Sequence, residues 1–238
     1  MKNIQAIFKK EFASYFNSPI AYIYITAFLV FSSWIFFRGF FLIGQANMRA
    51  FFSLLPWIFL FFIPAITMRL WAEEKKSGTM EILMTLPITD TEVVMGKFLA
   101  AFIFFAFSIL LSFTIPLTLF YLGSPDMGPI IGGYLGALLM GAAYLSIGLF
   151  VSSLTENQIV AFILGIFSCF VLFIIGEDIV LMSLPSSLAS IFSFLGLGYH
   201  FKSIGRVIID TRDILYYLSV IGIFLFLNIR SIESRKWR

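Results

Sequence analysis

Uncharged apolar stretches of about twenty residues recur along this chain, and nothing else in it restricts the fold so severely. A helix of that length crosses the roughly 30 Å hydrocarbon core of a bilayer. Inside lipid every backbone N–H and C=O has to be satisfied within the protein, which leaves helical bundles and closed barrels. Barrel strands read as short segments of alternating polarity, whereas these runs are continuous and rich in Phe, Leu and Ile. The balance of 60% hydrophobic to 12% charged residues is far from the roughly half apolar, quarter charged make-up of soluble domains. The predicted fold class is all-α, a polytopic membrane protein forming a single transmembrane domain over residues 1–238.

Spans are predicted at 20–43, 51–70, 94–122, 130–152, 158–176 and 214–230, six transmembrane helices bounded by charges or by Gly and Pro. The start, Met1-Lys2-Asn3-Ile4, lacks a signal-peptide layout, so the first span is expected to be retained. With the N-terminus inside, Lys2, Lys9, Lys10, Arg69, Lys75, Lys76, Lys97, Arg230, Arg235, Lys236 and Arg238 fall on the cytoplasmic side. Arg38, Arg49, Lys202, Arg206 and Arg212 fall outside, the asymmetry of the positive-inside rule. Both termini are therefore expected in the cytoplasm. The same rule accounts for the net charge of +3: the excess cations suit membrane lipid headgroups, and no nucleic acid is expected as a partner. Cys169, the sole cysteine, lies in an apolar run and reads as packing.

Two segments are not expected to cross. Residues 3–16 place Ile4, Ile7, Phe8, Phe12, Tyr15 and Phe16 on one helical face and Lys9, Lys10 and Ala13 on the other, the pattern of an amphipathic interfacial helix. Glu11 falls inside the apolar arc, either as a rim residue or as half of an ion pair. Residues 179–201 are uncharged but interrupted by Leu184-Pro185-Ser186-Ser187 and Gly196-Leu197-Gly198. They read as a re-entrant or surface helical pair before the last span, with His200 at its outer, interfacial edge. In the fourth span Gly132, Gly136, Ala137, Gly141 and Gly148 offer a small face for close helix packing in lipid.

The chain carries no Gly-rich phosphate loop, no His-Glu-x-x-His and no nucleophile elbow, and one His with one apolar Cys makes no metal site. The spans are nearly free of ionisable residues, which leaves no evident proton relay and argues against an ion-coupled carrier acting alone. Energy is expected to enter from outside the bilayer.

The loop 69–97 is the segment suited to receive it. The second span runs on as Arg69-Leu-Trp-Ala-Glu-Glu-Lys-Lys, and Gly78 is placed to end that helix with φ > 0. Thr79 to Leu86 forms a short amphipathic helix with Ile82, Leu83 and Leu86 on its apolar side, stopped at Pro87. Thr89 and Glu92 then make a capping box, with Ile88 and Val93 as a hydrophobic staple. From the residues alone this is either a solvated connector or a mechanical lever.

Glu73-Glu74-Lys75-Lys76-Ser77-Gly78-Thr79-Met80-Glu81, with Leu86-Pro87 and Gly96-Lys97, resembles the first cytoplasmic loop of type-2 ABC transporter permeases. The segments Gly148–Phe162 and Phe201–Tyr217 are similar to the branch that includes gliding-motility-associated permeases, with Arg206-Val207 where that branch has Arg-Gly. The resemblance implies a multi-pass permease subunit of the bacterial cytoplasmic (inner) membrane. It is expected to work as an exporter in a dimer with a second permease half, identical or related. It implies that Glu73, Glu74, Gly78, Thr79 and Glu81 dock on a separate ABC ATPase, present in two copies, and that Thr155, Glu156 and Asn157 form a second inner contact. No cofactor is expected on this chain; ATP and Mg belong to the ATPase, so the chain itself is not an enzyme. The alternatives are a non-transporting anchor that transmits ATPase force to an outer complex, and a self-contained channel or carrier.

Overall fold

The computed structural model describes residues 2–43, 47–123, 125–205 and 210–234, which form twelve helices and no strand. Arg206-Val207 and the basic Arg235, Lys236 and Arg238 lie outside the described residues. In chain order the helices are α1 (Lys2–Phe16), α2 (Pro19–Ile43), α3 (Arg49–Lys76), α4 (Thr79–Thr85), α5 (Asp90–Leu111), α6 (Thr114–Leu122), α7 (Met127–Leu154), α8 (Gln158–Ile174), α9 (Asp178–Leu181), α10 (Ser186–Leu195), α11 (Leu197–Ile204) and α12 (Thr211–Glu233).

Among the described residues, five segments are long and apolar enough to cross a membrane: α2, α3, α5 continued by α6, α7 and α12. The remaining predicted span is α8, an apolar helix of 17 residues, roughly 26 Å at 1.5 Å per residue. By contrast α3 has 28 residues, roughly 42 Å, so its last turns, which carry the charges, project past a hydrocarbon core about 30 Å thick.

Helix α7 is the axis of the bundle, packed by α3, α5, α8, α11 and α12. In lipid the apolar effect between helices is weak and association relies on close contact. The glycines of α7 provide it. A Cβ on Gly148 would stand 2.2 Å from Thr67 Oγ1 of α3, and one on Gly141 2.1 Å from the Phe105 ring of α5. The Ser152 hydroxyl of α7 enters the backbone of α3, donating to Met68 O at 3.0 Å and accepting from Trp71 N at 3.2 Å.

The third predicted span is broken after Leu111. Pro116 has no N–H to give to Ser112 O, its partner four residues back. That carbonyl instead accepts from Ile115 N at 3.0 Å and from the Tyr134 hydroxyl of α7 at 3.2 Å.

Contacts sort the ends of the helices. At one end the Lys75 ammonium of α3 donates to Ser153 O of α7, and Ser153 Oγ meets Ser231 Oγ of α12 at 3.0 Å. Helices α1 and α4 lie at this end too, through the side chains described below. At the other end, α9, α10 and α11 replace the helical pair expected over 179–201. Gly176 and Gly196 bring two backbones together there, so that a Cβ on Gly196 would lie 2.2 Å from Gly176 Cα. His200 is packed inside the protein at this end: it is 2% exposed, with Nδ1 2.6 Å from Asp213 Oδ1 and Nε2 2.9 Å from Phe194 O. Two acceptors for one ring hold α10 and α11 to the start of α12.

Candidate functional site

The end of the bundle that carries α4 is an elbow held from both sides. Helix α1 buries the face its apolar spacing predicts, and Glu11 within that face is buried as well. Its partner is Lys97 of α5, 0% exposed. The Lys97 ammonium lies 3.1 Å from Glu11 Oε1, 2.8 Å from Glu74 Oε1 and 3.0 Å from Leu70 O. An ammonium has three donors, and three acceptors from α1 and α3 surround this one. The Trp71 ring centroid at 4.9 Å adds a cation–π contact. Lys10, at the surface, stands 3.7 Å from Glu11 and 3.6 Å from Glu74, so two cations balance two carboxylates.

Gly96 makes room for this arrangement, since a Cβ there would fall 2.7 Å from the Ile7 side chain of α1. Adjacent residues thus serve adjacent needs: Gly96 admits α1 and Lys97 neutralises it. Asn3 Nδ2 donates to Glu92 Oε2 at 3.0 Å and adds a second tie from α1 to α5. Tyr15, at the far end of α1, lies with its ring 4.6 Å from the Arg69 guanidinium. Burial pushes its phenol up, against the downward pull of Arg69.

The turn itself follows local chemistry. Gly78 takes φ 72 and ψ 0, the left-handed conformation that ends α3 and starts α4. Helix α4 ends at Thr85, one residue short of the predicted Leu86, which caps it. The capping box is formed: Glu92 N donates to Thr89 Oγ1 at 3.3 Å, and Thr89 N to Glu92 Oε2 at 3.1 Å. Val93 is buried and Ile88 packs against the same core.

The expected docking residues do not share one surface. Glu73, Gly78, Thr79 and Glu81 are exposed along the turn and α4, whereas Glu74 turns inward to Lys97. The apolar side of α4 is divided too. Met80 is buried and Leu83 partly so, while Ile82 is 66% and Leu86 49% exposed. The elbow therefore presents two acids and two apolar side chains outward on a seven-residue helix and its flanks. Between α7 and α8, Thr155 Oγ1 accepts from Asn157 N at 3.1 Å and Asn157 Oδ1 accepts from Ile159 N at 2.9 Å, capping α8. Glu156 is exposed between them. Lys75 joins this turn to the elbow through Ser153 O.

Sequence reasoning missed the roles of Lys97 and Glu74. The available signal was Glu11, an acid in an apolar arc, which requires a buried cation and so directs attention to a Lys at the head of a span.

No individual curated protein matches the chain. Residues 5–196 match the family model described as ABC-2 family transporter protein. That match takes in α1 from Gln5 onward, the elbow, the α7–α8 turn and all of α10. With a helical bundle that matches the family over most of its length, the chain belongs to the ABC-2 transporter family, as a membrane-spanning subunit.

Proposed function

We propose that this membrane subunit receives force from a separate ATPase through the α3–α4–α5 elbow and serves as one half of an exporting permease dimer carrying two ATPase chains. The observation that carries the reading is the contrast within the elbow. Its outward face, Glu73, Gly78, Thr79, Glu81, Ile82 and Leu86, is exposed, while its root is fixed to α1, α3 and α5 by Lys97. Exposed apolar side chains beside acids suit a partner groove, and a fixed root passes displacement of α4 to the spans.

ATP and Mg are held by the partner, and closure of its two copies moves α4. The displacement tilts α3 and α5 about the α7 axis, shifting the bundle between two states of unequal affinity for the closed ATPase. Glu156 at the α7–α8 turn gives the partner a second foothold. Export fits the connections at the end opposite the elbow, which among the described residues hold only the short helices α9, α10 and α11 and no large cargo-receiving domain. The bacterial inner membrane, cytoplasmic termini and the likeness to gliding-motility permeases in Gly148–Phe162 and Phe201–Tyr217 belong to the same proposal.

Co-purification from the native host tests it. Glu73→Lys and Glu81→Lys should each lower recovery of an ATP-binding chain while leaving membrane insertion intact. Unchanged recovery in both variants would remove α4 as the docking element.

A further inference from the structure

At the end opposite the elbow, a cavity of about 740 Å³ opens between α3, the head of α7, the tail of α8 and α11. The volume lies within the roughly 300–1,000 Å³ of small-molecule sites. Its wall is aromatic, with Trp57 of α3, Phe173 of α8 and Phe201 of α11, and its charged lining consists of Arg49, Glu177 and Lys202.

Lys202 Nζ lies 2.7 Å from Glu177 Oε2 and 3.5 Å from Asp178 Oδ2. Desolvation works against the Lys202 charge, but the hydrogen bond and charges of Glu177 and Asp178 prevail, and its pKa is held above the ordinary value. Arg49 is exposed at the first turn of α3. Glu177 and Asp178 share the Lys202 charge, so Arg49 is the cation of the lining that no carboxylate among the described residues meets in an ion pair. Glu177 places its second oxygen, buried and without a hydrogen-bond partner, beside Gly198; a Cβ on Gly198 would stand 2.6 Å from it. The carboxylate is thus wedged where it holds Lys202 at the cavity.

An inorganic anion has no use for the aromatic wall, and a purely apolar molecule has none for the cations. We propose that this cavity binds an amphipath with a phosphate head, the head on Arg49 and Lys202 and the apolar body along Trp57, Phe173 and Phe201. Glu177 restrains Lys202 and so sets how strongly the head is gripped. The site follows from the bundle and does not rest on the ATPase reading.

Native mass spectrometry of the detergent-purified complex, equilibrated with equal amounts of phosphatidylglycerol and diacylglycerol of the same chains, reads out both. Phosphatidylglycerol should be retained preferentially. Arg49→Ala should reduce that retention roughly fivefold, the worth of one basic side chain near an anionic head, and Glu177→Gln should increase it by freeing Lys202. Equal retention across wild type and both variants overturns the proposal. Displacement by soluble glycerol phosphate at the same concentration also overturns it, by assigning the site to a free phosphate ester. The ATPase peak in the same spectra reports separately on the coupling proposal: its loss from wild type bears on the elbow and leaves the lipid comparison readable.

Discussion

Glu74 Oε1 lies 2.8 Å from Lys97 Nζ, joining the projecting end of α3 to the head of α5. Glu11 shares that ammonium at 3.1 Å, so one buried cation serves two carboxylates, with Lys10 beside them at the surface. Buried pairs gain little over a well-packed apolar replacement, but removing one member leaves the other uncompensated.

Lys97→Met should therefore destabilise the subunit by about 3–5 kcal/mol, seen as a lower unfolding temperature in detergent. Adding Glu11→Gln and Glu74→Gln should restore much of the loss, because the uncompensated charges are gone. A triple variant as unstable as the single one would show that Lys97 acts by packing rather than by charge.

Gly78 stands at φ 72 with open space where a Cβ would go, so a substitution there is penalised by backbone conformation alone. Gly78→Ala should cost about 1–2 kcal/mol at the turn, and Gly78→Asn less, since Asn tolerates the left-handed region. Insertion should be unaffected in both. Stimulation of the ATPase should fall more in the Ala variant, and equal stimulation in the two would separate the turn geometry from coupling.

Tyr134 supplies the donor that Pro116 withholds from Ser112 O. Tyr134→Phe should cost about 1 kcal/mol, the usual net worth of a hydrogen bond. In a Pro116→Ala background the helix regains its own N–H, and the same change should cost clearly less. Chemical unfolding of the four proteins of this cycle measures the difference, and an equal cost in both backgrounds would dismiss the compensation.

Features governed by neighbours in sequence were legible in advance. The Thr89–Glu92 box, the left-handed Gly78 and the buried arc of α1 each follow from a few adjacent residues and one local rule. The break after Leu111 was not, although Pro116 is plain to see. Whether a proline interrupts a span depends on what else the freed carbonyl meets, and Tyr134 arrives from another helix. Glu74 illustrates the same limit within a single charged run: Glu73 and Glu74 read alike, and only the rotation of α3 against α5 sends one outward and the other to Lys97. His200 was expected at the interface because it ends the 179–201 stretch on its outer side. That it is buried there depends on Asp213 and Phe194 O, which give both ring nitrogens a partner from elements the linear pattern does not connect. The cavity needed four elements to meet, which no linear pattern encodes.

Glu11 and its counter-charge are separated by 86 positions along the chain. A ribosome that has just released α1 has not yet made α5, so the carboxylate leaves the exit tunnel without the ammonium that will neutralise it. Only when the third hydrophobic segment reaches the bilayer can α1 settle into its seat. A helix made well ahead of α5 is thus among the later pieces to be secured, and a truncation ending before Lys97 should leave it open to proteases even though α2 and α3 are already inserted.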